Sequence, residues 1–563
     1  MGNKLRGALT VALALAVTSG MTVPSALAQV DPAGSSIKHA AAVNDMSVAR
    51  LSTILRTDPT AALTDSGRLF YTDVAPSLEH RGRFTAANAP YPLDQTFALH
   101  SNPGSNRTIF LDFDGTDDVG SEWGVPDNQP AWTIDGNAST FNATEQAAVQ
   151  AVWQQVSEDY APFDVDVTTE DQGDAVIDRS GSGDQQYGAH VLIGPSPSAA
   201  DILCPDGCGG IAILGAFDQT FSHQQEQPAW VFSQYLTSET FQASDAKYLA
   251  EAATHEVGHQ LSLSHDGTAK DPDYYEGHGS WAPIMGAGYY QPIVQWSQGD
   301  YPGANNHEDD LAMIASHGLS YRADEAGGTI ATASGLPSGT AYVTTRSDKD
   351  FYDLGECEGA LTIDAEVAPV SPDLDIELRL YDGDGNLVAS DNPTSTRVSD
   401  FVASGMSASI STEVDPGDYV VSVDGVGNGT PANGYDDYAS IGAYTLTSSC
   451  GDVDPDPDPT VDVPGAPTIG RASPGARGGQ VTATARWAAP LDDGGAAVDG
   501  YVVSATRWKN GFAVRTLSSN VLKASTHAAS FVLGRGVWSF RVQARNSEGF
   551  GAFSPASKRV TAR

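Results

Sequence analysis

A chain of 563 residues is longer than one hydrophobic core normally serves, so several folded units are expected. Thirty basic residues stand against 71 acidic ones, a formal net charge of −41 that favours solubility and argues against non-specific nucleic-acid binding. The first 28 residues read as an export signal. Lys4 and Arg6 give a basic start, Ala8 to Val17 an apolar stretch, and Ala26-Leu27-Ala28 a small-residue cleavage site. A secreted protein is therefore expected, and no later stretch reaches the roughly 20 apolar residues that span a bilayer.

Residues 29–100 read as a propeptide with little strand patterning and a short helix between Val43 and Leu55. They contain no cysteine, so a pro-region thiolate cannot cap a metal. From Arg107 the character changes. Thr108 to Phe113 is rich in β-branched and aromatic residues and reads as a strand. Thr144 to Tyr160 places apolar side chains at near-helical spacing, and Pro162 stops that helix. Phe163–Thr168 and His190–Gly194 are further strands, and Gly209–Leu214 is a glycine-led one. Cys204, Cys208, Cys357 and Cys450 are an even set in an exported chain, which favours disulfides. The expected pairs are Cys204 with Cys208 and Cys357 with Cys450, with a structural zinc site as the rival reading of the first pair.

The chemistry concentrates at His255-Glu256-Val257-Gly258-His259 and, six residues on, His265. Histidines four apart on a helix face the same way and can hold one metal ion, and His265 joins them only if the chain turns back after His259. Three neutral nitrogens with a fourth position left for water is the arrangement of a catalytic zinc.

This motif, with Met285 twenty residues after His265 in Trp281-Ala282-Pro283-Ile284-Met285-Gly286, resembles that of the metzincin metalloproteases of the reprolysin and gametolysin kind. The resemblance implies an α/β (α+β) catalytic domain over 101–327, with a mixed sheet and a zinc helix. It implies zinc on His255, His259 and His265, Glu256 as general base, Met285 supporting the ligands from below, and Asp266 in a structural hydrogen bond. Tyr289 is placed near a role on the reacting oxygen or in the pocket wall. The strand from Gly209 to Leu214 either lines the cleft and pairs with substrate or is an ordinary strand. Ser262 stands where the pattern has glycine, a position that needs a left-handed backbone.

Strands with short turns follow from 328 to 450. Asp348–Leu354, the hairpin at Asp382–Asn386 and Gly417–Val423 resemble the bacterial pre-peptidase C-terminal (PPC) domain, a β-sandwich. The hairpin is similar to a calcium loop, but Leu387 and Pro393 stand where an EF-hand needs glycine and glutamate. Calcium elsewhere in this acidic module stays open. Residues 451–464 repeat Asp-Pro as an extended linker. From 465 to 563, Trp487, Gly500–Val503 and Trp538–Asn546 resemble a fibronectin type III domain, the second of two β-sandwiches. It carries thirteen basic and four acidic residues, which would suit acidic polymers or surfaces.

The sequence thus points to a secreted zinc endopeptidase acting on protein or peptide substrates. The competing readings are a non-catalytic adhesion protein that binds through its β-modules, and a metal hydrolase of non-peptide substrates.

Overall fold

The computed structural model describes residues 36–76, 89–237, 243–270, 272–450, 463–477, 481–490, 493–509, 512–546 and 549–563. The export signal and most of the Asp-Pro linker lie outside these residues. The chain divides into two compact units, one running to Asp452 and one from Val453. Each is multistranded, and together they give a mixed α/β protein dominated by sheets. No described helix is long and apolar enough to cross a membrane.

The first unit opens with helices α1 (Ser36–Val43) and α2 (Val48–Thr57). One helix from Val43 to Leu55 was expected; instead the chain breaks at Asn44. Its amide donates to the Ala40 carbonyl and its Oδ1 accepts from Leu69 N at 2.8 Å, and Ser47 then caps α2. Two strands that the sequence did not suggest follow, β1 (Ala61–Leu63) and β2 (Leu69–Thr72), and they pair antiparallel.

The chain then supplies β3 (Arg107–Asp112), α3 (Ala143–Asp159), β4 (Asp166–Thr168), β5 (Tyr187–Ile193), α4 (Pro197–Leu203), β6 (Gly210–Ile213), β7 (Ala229–Val231), α5 (Ser233–Leu236) and α6 (Ala243–Gln260). A seven-stranded sheet forms in the order β1-β2-β6-β7-β5-β3-β4. Strands β4, β3, β5 and β7 are parallel, whereas β6 and β2 run antiparallel to their neighbours. Without β2, strand β6 would be an edge with unpaired main-chain groups, the form of edge that invites another strand.

Helix α3 is fixed at its start by a reciprocal cap. Asn142 accepts from Thr144 N and Glu145 N, and Glu145 accepts from Asn142 N. It buries Val149, Val152, Trp153 and Val156 in the same core as Tyr248, Leu249 and Val257 of α6. After α6 come β8 (Trp281–Pro283), β9 (Ile293–Gln295) and α7 (Asp310–Ser316). Helix α7 is shorter than the expected Asn306–His317, because Asp309 caps it and Glu308 is turned to the Ser264 backbone N–H at 2.9 Å.

The rest of the first unit is β10 (Ser334–Gly335), β11 (Ala341–Val343), β12 (Lys349–Val367), β13 (Ile376–Asp382), β14 (Leu387–Asp391), β15 (Thr396–Arg397), β16 (Ala403–Ser404), β17 (Ala408–Gly425) and β18 (Gly442–Cys450). Long β12 and β17 pair along their length, with irregularities at Asp353/Gly355 and Cys357/Gly359. One apolar core runs from Ile109 in β3 to Leu446 in β18. Polar contacts cross the same junction: the Tyr438 hydroxyl donates to Asp309 Oδ1 at 2.6 Å and accepts from Leu311 N, and Glu158 accepts from Ala443 N at 3.3 Å.

The second unit places β21 (Thr482–Ala488) between the short β19 (Thr468–Ile469) and β20 (Ser473–Pro474). Its other sheet is built on β22 (Gly500–Lys509) and β26 (Gly536–Arg545), and Trp487, Tyr501, Trp538 and Phe540 share the core between the two.

Glu158 gives the junction in the first unit a testable signature. Burial pushes its carboxyl up to about 8, against the lowering effect of the Ala443 and Asp373 N–H groups. A carboxyl raised in the folded state contributes stability that is present below its unfolded pKa and lost as pH rises through about 8. Thermal unfolding of Glu158→Gln should therefore depend less on pH between about 4.5 and 8. At pH 8 the variant should melt above the wild type.

Candidate metal centre

Helix α6 ends by design at the point where its second histidine has been presented. Gly215 N and Phe217 N, from the loop after β6, donate to the His259 and Gln260 carbonyls at 2.9 Å each, and Leu263 N donates to Gly258 O at 3.0 Å. Ser262 takes the left-handed conformation at φ 72°, as the glycine of the motif would, at a cost of about 1 kcal/mol for an L-residue. The chain turns back there. His259 Nε2 and His265 Nε2 come to 3.0 Å, and the His255 and His259 ring centroids lie 4.8 Å apart.

The outer nitrogens decide what the inner ones can do. His255 Nδ1 donates to Ile284 O and His259 Nδ1 to Leu263 O, both at 2.8 Å. With the proton held on Nδ1, each Nε2 is a bare lone pair aimed at the shared centre. Ile284 immediately precedes Met285, so the turn that carries the methionine also orients the first histidine. Met285 is fully buried beneath the helix, where a Cβ added at Gly258 would meet its sulfur at 2.5 Å. Asp266 ties the same parts together through its backbone: its N–H donates to Met285 O and its carbonyl accepts from Tyr275 N, each at 2.7 Å. Burial pushes its carboxyl up to about 7, partly offset by the Tyr301 hydroxyl.

A fourth group that the sequence reading missed completes the set. Asp73, just after β2, puts its carboxylate 2.7 Å from His265 Nε2, 3.3 Å from His255 Nε2 and 3.5 Å from His259 Nε2. One atom from each of the four buried residues lies within 4.8 Å of the others, close enough to hold a metal ion. The donor chemistry fits zinc, three imidazole nitrogens and one carboxylate oxygen, and His255 Nε2 is buried without a hydrogen-bond partner among the described residues. The two ring nitrogens 3.0 Å apart, at His259 and His265, likewise call for a cation or a proton between them. His265 Nδ1 meets Asp58 Oδ2 at 3.3 Å, so the N-terminal segment also touches the outer side of the third histidine.

Asp73 is held by strand pairing. Phe70, Tyr71 and Thr72 register antiparallel with Ile213, Ala212 and Ile211, Asp73 N donates to Gly210 O at 2.9 Å, and Gly209 N donates to Asp73 O at 2.7 Å. Tyr71 stacks on His259 with centroids 4.6 Å apart, and the Tyr274 hydroxyl donates to Asp73 Oδ1 at 2.9 Å. The segment ends on Tyr289, whose hydroxyl donates to Val74 O at 3.1 Å. Tyr289 thus rests on the backbone of the N-terminal segment.

Glu256 is fully buried and faces the Asp73 carboxylate, with which it shares a side-chain hydrogen bond. Burial and the negative charge of Asp73 push its carboxyl well above the ordinary range. It lies against Gly210, where a Cβ would fall 1.9 Å from Glu256 Oε1. The glycine at the head of β6 is therefore the space that the glutamate occupies. Of the remaining predicted residues, Cys204 and Cys208 form a disulfide behind β6 and away from the histidines. Cys357 is disulfide-bonded as well, while the side chain of Cys450 lies outside the described residues.

No protein-family model matches this chain, and no curated protein matches it. Among solved structures it is similar to the titin kinase with its flanking domains, at 22% identity over 18% of this chain and 18% of that one, TM-score 0.16. It is also similar to the FN5 domain of Drosophila Lar, at 24% identity over 18% of this chain and 96% of that one, TM-score 0.14. A human fibronectin type III domain matches at 22% identity over 18% of this chain and 79% of its own length, TM-score 0.15. Likenesses this slight carry no argument about the metal centre.

Gly210→Ala tests the packing against Glu256. The variant should retain its bound metal while losing at least about tenfold in any activity that uses Glu256, because a methyl group must displace that carboxylate. Metal analysis alongside the rate measurement separates this from loss of the centre.

Proposed function

We propose that this chain is a secreted, zinc-dependent endopeptidase of the metzincin type that hydrolyses peptide bonds of extracellular proteins, with its cleft here filled by its own N-terminal segment. The observation that carries the reading is the convergence of the His255, His259 and His265 imidazoles on one point beside a fully buried glutamate. A purely structural zinc site has no use for such a glutamate.

His255, His259 and His265 would hold the ion. Bound there, zinc polarises a carbonyl and brings the pKa of a coordinated water to about 7. Glu256 is the group placed to accept that water's proton and to hand it to the leaving amine. Strand β6 offers the Gly210 carbonyl and the Gly209 N–H to an extended peptide, the contacts that Asp73 now takes. Main-chain pairing of this kind holds a substrate without reading its sequence.

The same geometry supports a latent form. Asp73 takes the place of a fourth ligand, β2 covers the free edge of β6, and Tyr71 covers two of the ligand rings. The pro-segment is anchored away from the centre as well, by the buried pair of Arg68 and Glu226 at 2.7 Å.

The reading is tested by hydrolysis of an unfolded protein substrate after removal of the N-terminal segment, with zinc content measured. The wild type should cleave, and Glu256→Ala should bind zinc yet lose about 10⁴-fold or more in rate. If both hold zinc and neither cleaves, the protease reading fails and an adhesive role for the β-modules takes its place. For latency, the full-length Asp73→Ala variant should lose zinc to a chelator at least about tenfold faster than the full-length wild type. It should also cleave substrate without processing.

A further inference from the structure

A second set of carboxylates sits where the zinc layer hands over to the sandwich. Asp324 lies in the segment leading into it, and Asp348 and Asp350 flank the start of β12. One oxygen from each comes within 4.8 Å of the others. Hydrogen bonds hold each carboxylate in place. Asp324 Oδ1 accepts from Ala326 N at 2.9 Å, Asp348 Oδ2 from Thr344 N and Oγ1 at 2.8 and 2.7 Å, and Asp350 Oδ2 from the Tyr444 hydroxyl. The neighbouring Glu325 is held likewise, through Oε1 on Tyr342 N.

The remaining oxygens are the informative ones. Asp350 is fully buried, and its Oδ1 has no hydrogen-bond partner among the described residues. No lysine, arginine or histidine among them forms an ion pair with any of the four acids. Lys349, between two of them in sequence, pairs with Asp424. Strands place neighbouring side chains on opposite faces, so the acids at 348 and 350 share one face and the lysine takes the other. Buried negative charge without a counter-charge is strongly unfavourable unless something compensates it.

We infer that Asp324, Asp348 and Asp350 form a calcium site that clamps the segment at 324–326 onto the first long strand of the sandwich. The donors are all oxygen, with neither nitrogen nor sulfur, and they sit on an irregular segment rather than in an octahedral cage, which suits calcium over zinc or magnesium. Glu325 and water would fill the outer positions. Burial and the charges of Asp348, Glu325 and Asp324 push the Asp350 carboxyl up to about 8, against the Tyr444 hydrogen bond. The hairpin that looks more like a calcium loop in sequence is closed: Asn386 donates to both oxygens of Asp382. The inference does not depend on the protease reading.

The test is terbium luminescence on the full-length chain, excited through Tyr444 and Tyr352, whose hydroxyls are 2.7 Å apart, with calcium as competitor. Zinc content is followed in the same samples. The wild type should show one saturable component that calcium displaces and magnesium displaces poorly. Asp324→Asn, an exposed change that leaves the fold intact, should weaken it at least about tenfold, and Asp350→Asn should abolish it, with zinc unchanged in both. Calcium should raise the melting temperature of the wild type by a few degrees and leave that of Asp350→Asn where it was. Superimposable titrations of the wild type and Asp324→Asn, or the absence of a saturable component in the wild type, would overturn the inference. If Asp350→Asn does not fold, the Asp324→Asn titration decides.

Discussion

Bare imidazole lone pairs facing one another inside a protein repel, and much of the first unit is arranged around holding them there. Two backbone carbonyls, those of Ile284 and Leu263, keep the protons on the outer nitrogens. A serine accepts a left-handed backbone so that the third ring can return to the first two. A methionine supports the helix, and the carbonyl next to it fixes a ring, so packing and protonation are set by one turn of chain. Such an arrangement persists only if the surrounding core determines it more strongly than its own strain opposes it.

Asp73 shows how a short strand can matter more than a long one. Four residues of β2 contribute little alone, yet their pairing with β6 delivers a carboxylate to the centre with main-chain precision. A side chain on a loose loop would pay the full entropy of finding that position, whereas a strand in register has lost it already. Tyr274 then gives its hydroxyl to the carboxylate, while Tyr71 stacks on His259 and Tyr289 holds the Val74 carbonyl.

What could be seen in the sequence was what local spacing encodes. His255, His259 and the need to turn before His265 follow from helical geometry, and the left-handed demand on residue 262 follows from that turn. Asp73 was hidden because a strand carries no trace of its partner: β2 pairs with residues some 140 positions away, and its four-residue run is too short for alternation to stand out. The split between α1 and α2 was missed for a related reason, since Asn44 ends its helix through a contact with Leu69. The role of Gly210 was half visible. A glycine heading a strand suggests close approach, but only the fold says that Glu256 is what approaches.

The strands after residue 327 are not an appendage in the mechanical sense. Arg397 among them grips the Tyr290 carbonyl and Gln291, Phe401 lies 6.2 Å from Tyr248 on α6, and the strands complete a core begun in β3. A chain cut at 327 would therefore expose the inner face of the first unit, while one cut after 452 would keep that unit whole. The histidine-bearing layer and these strands share one compact unit, and neither can be removed without baring the other. The unit from Val453 onward encloses an apolar core drawn from its own strands.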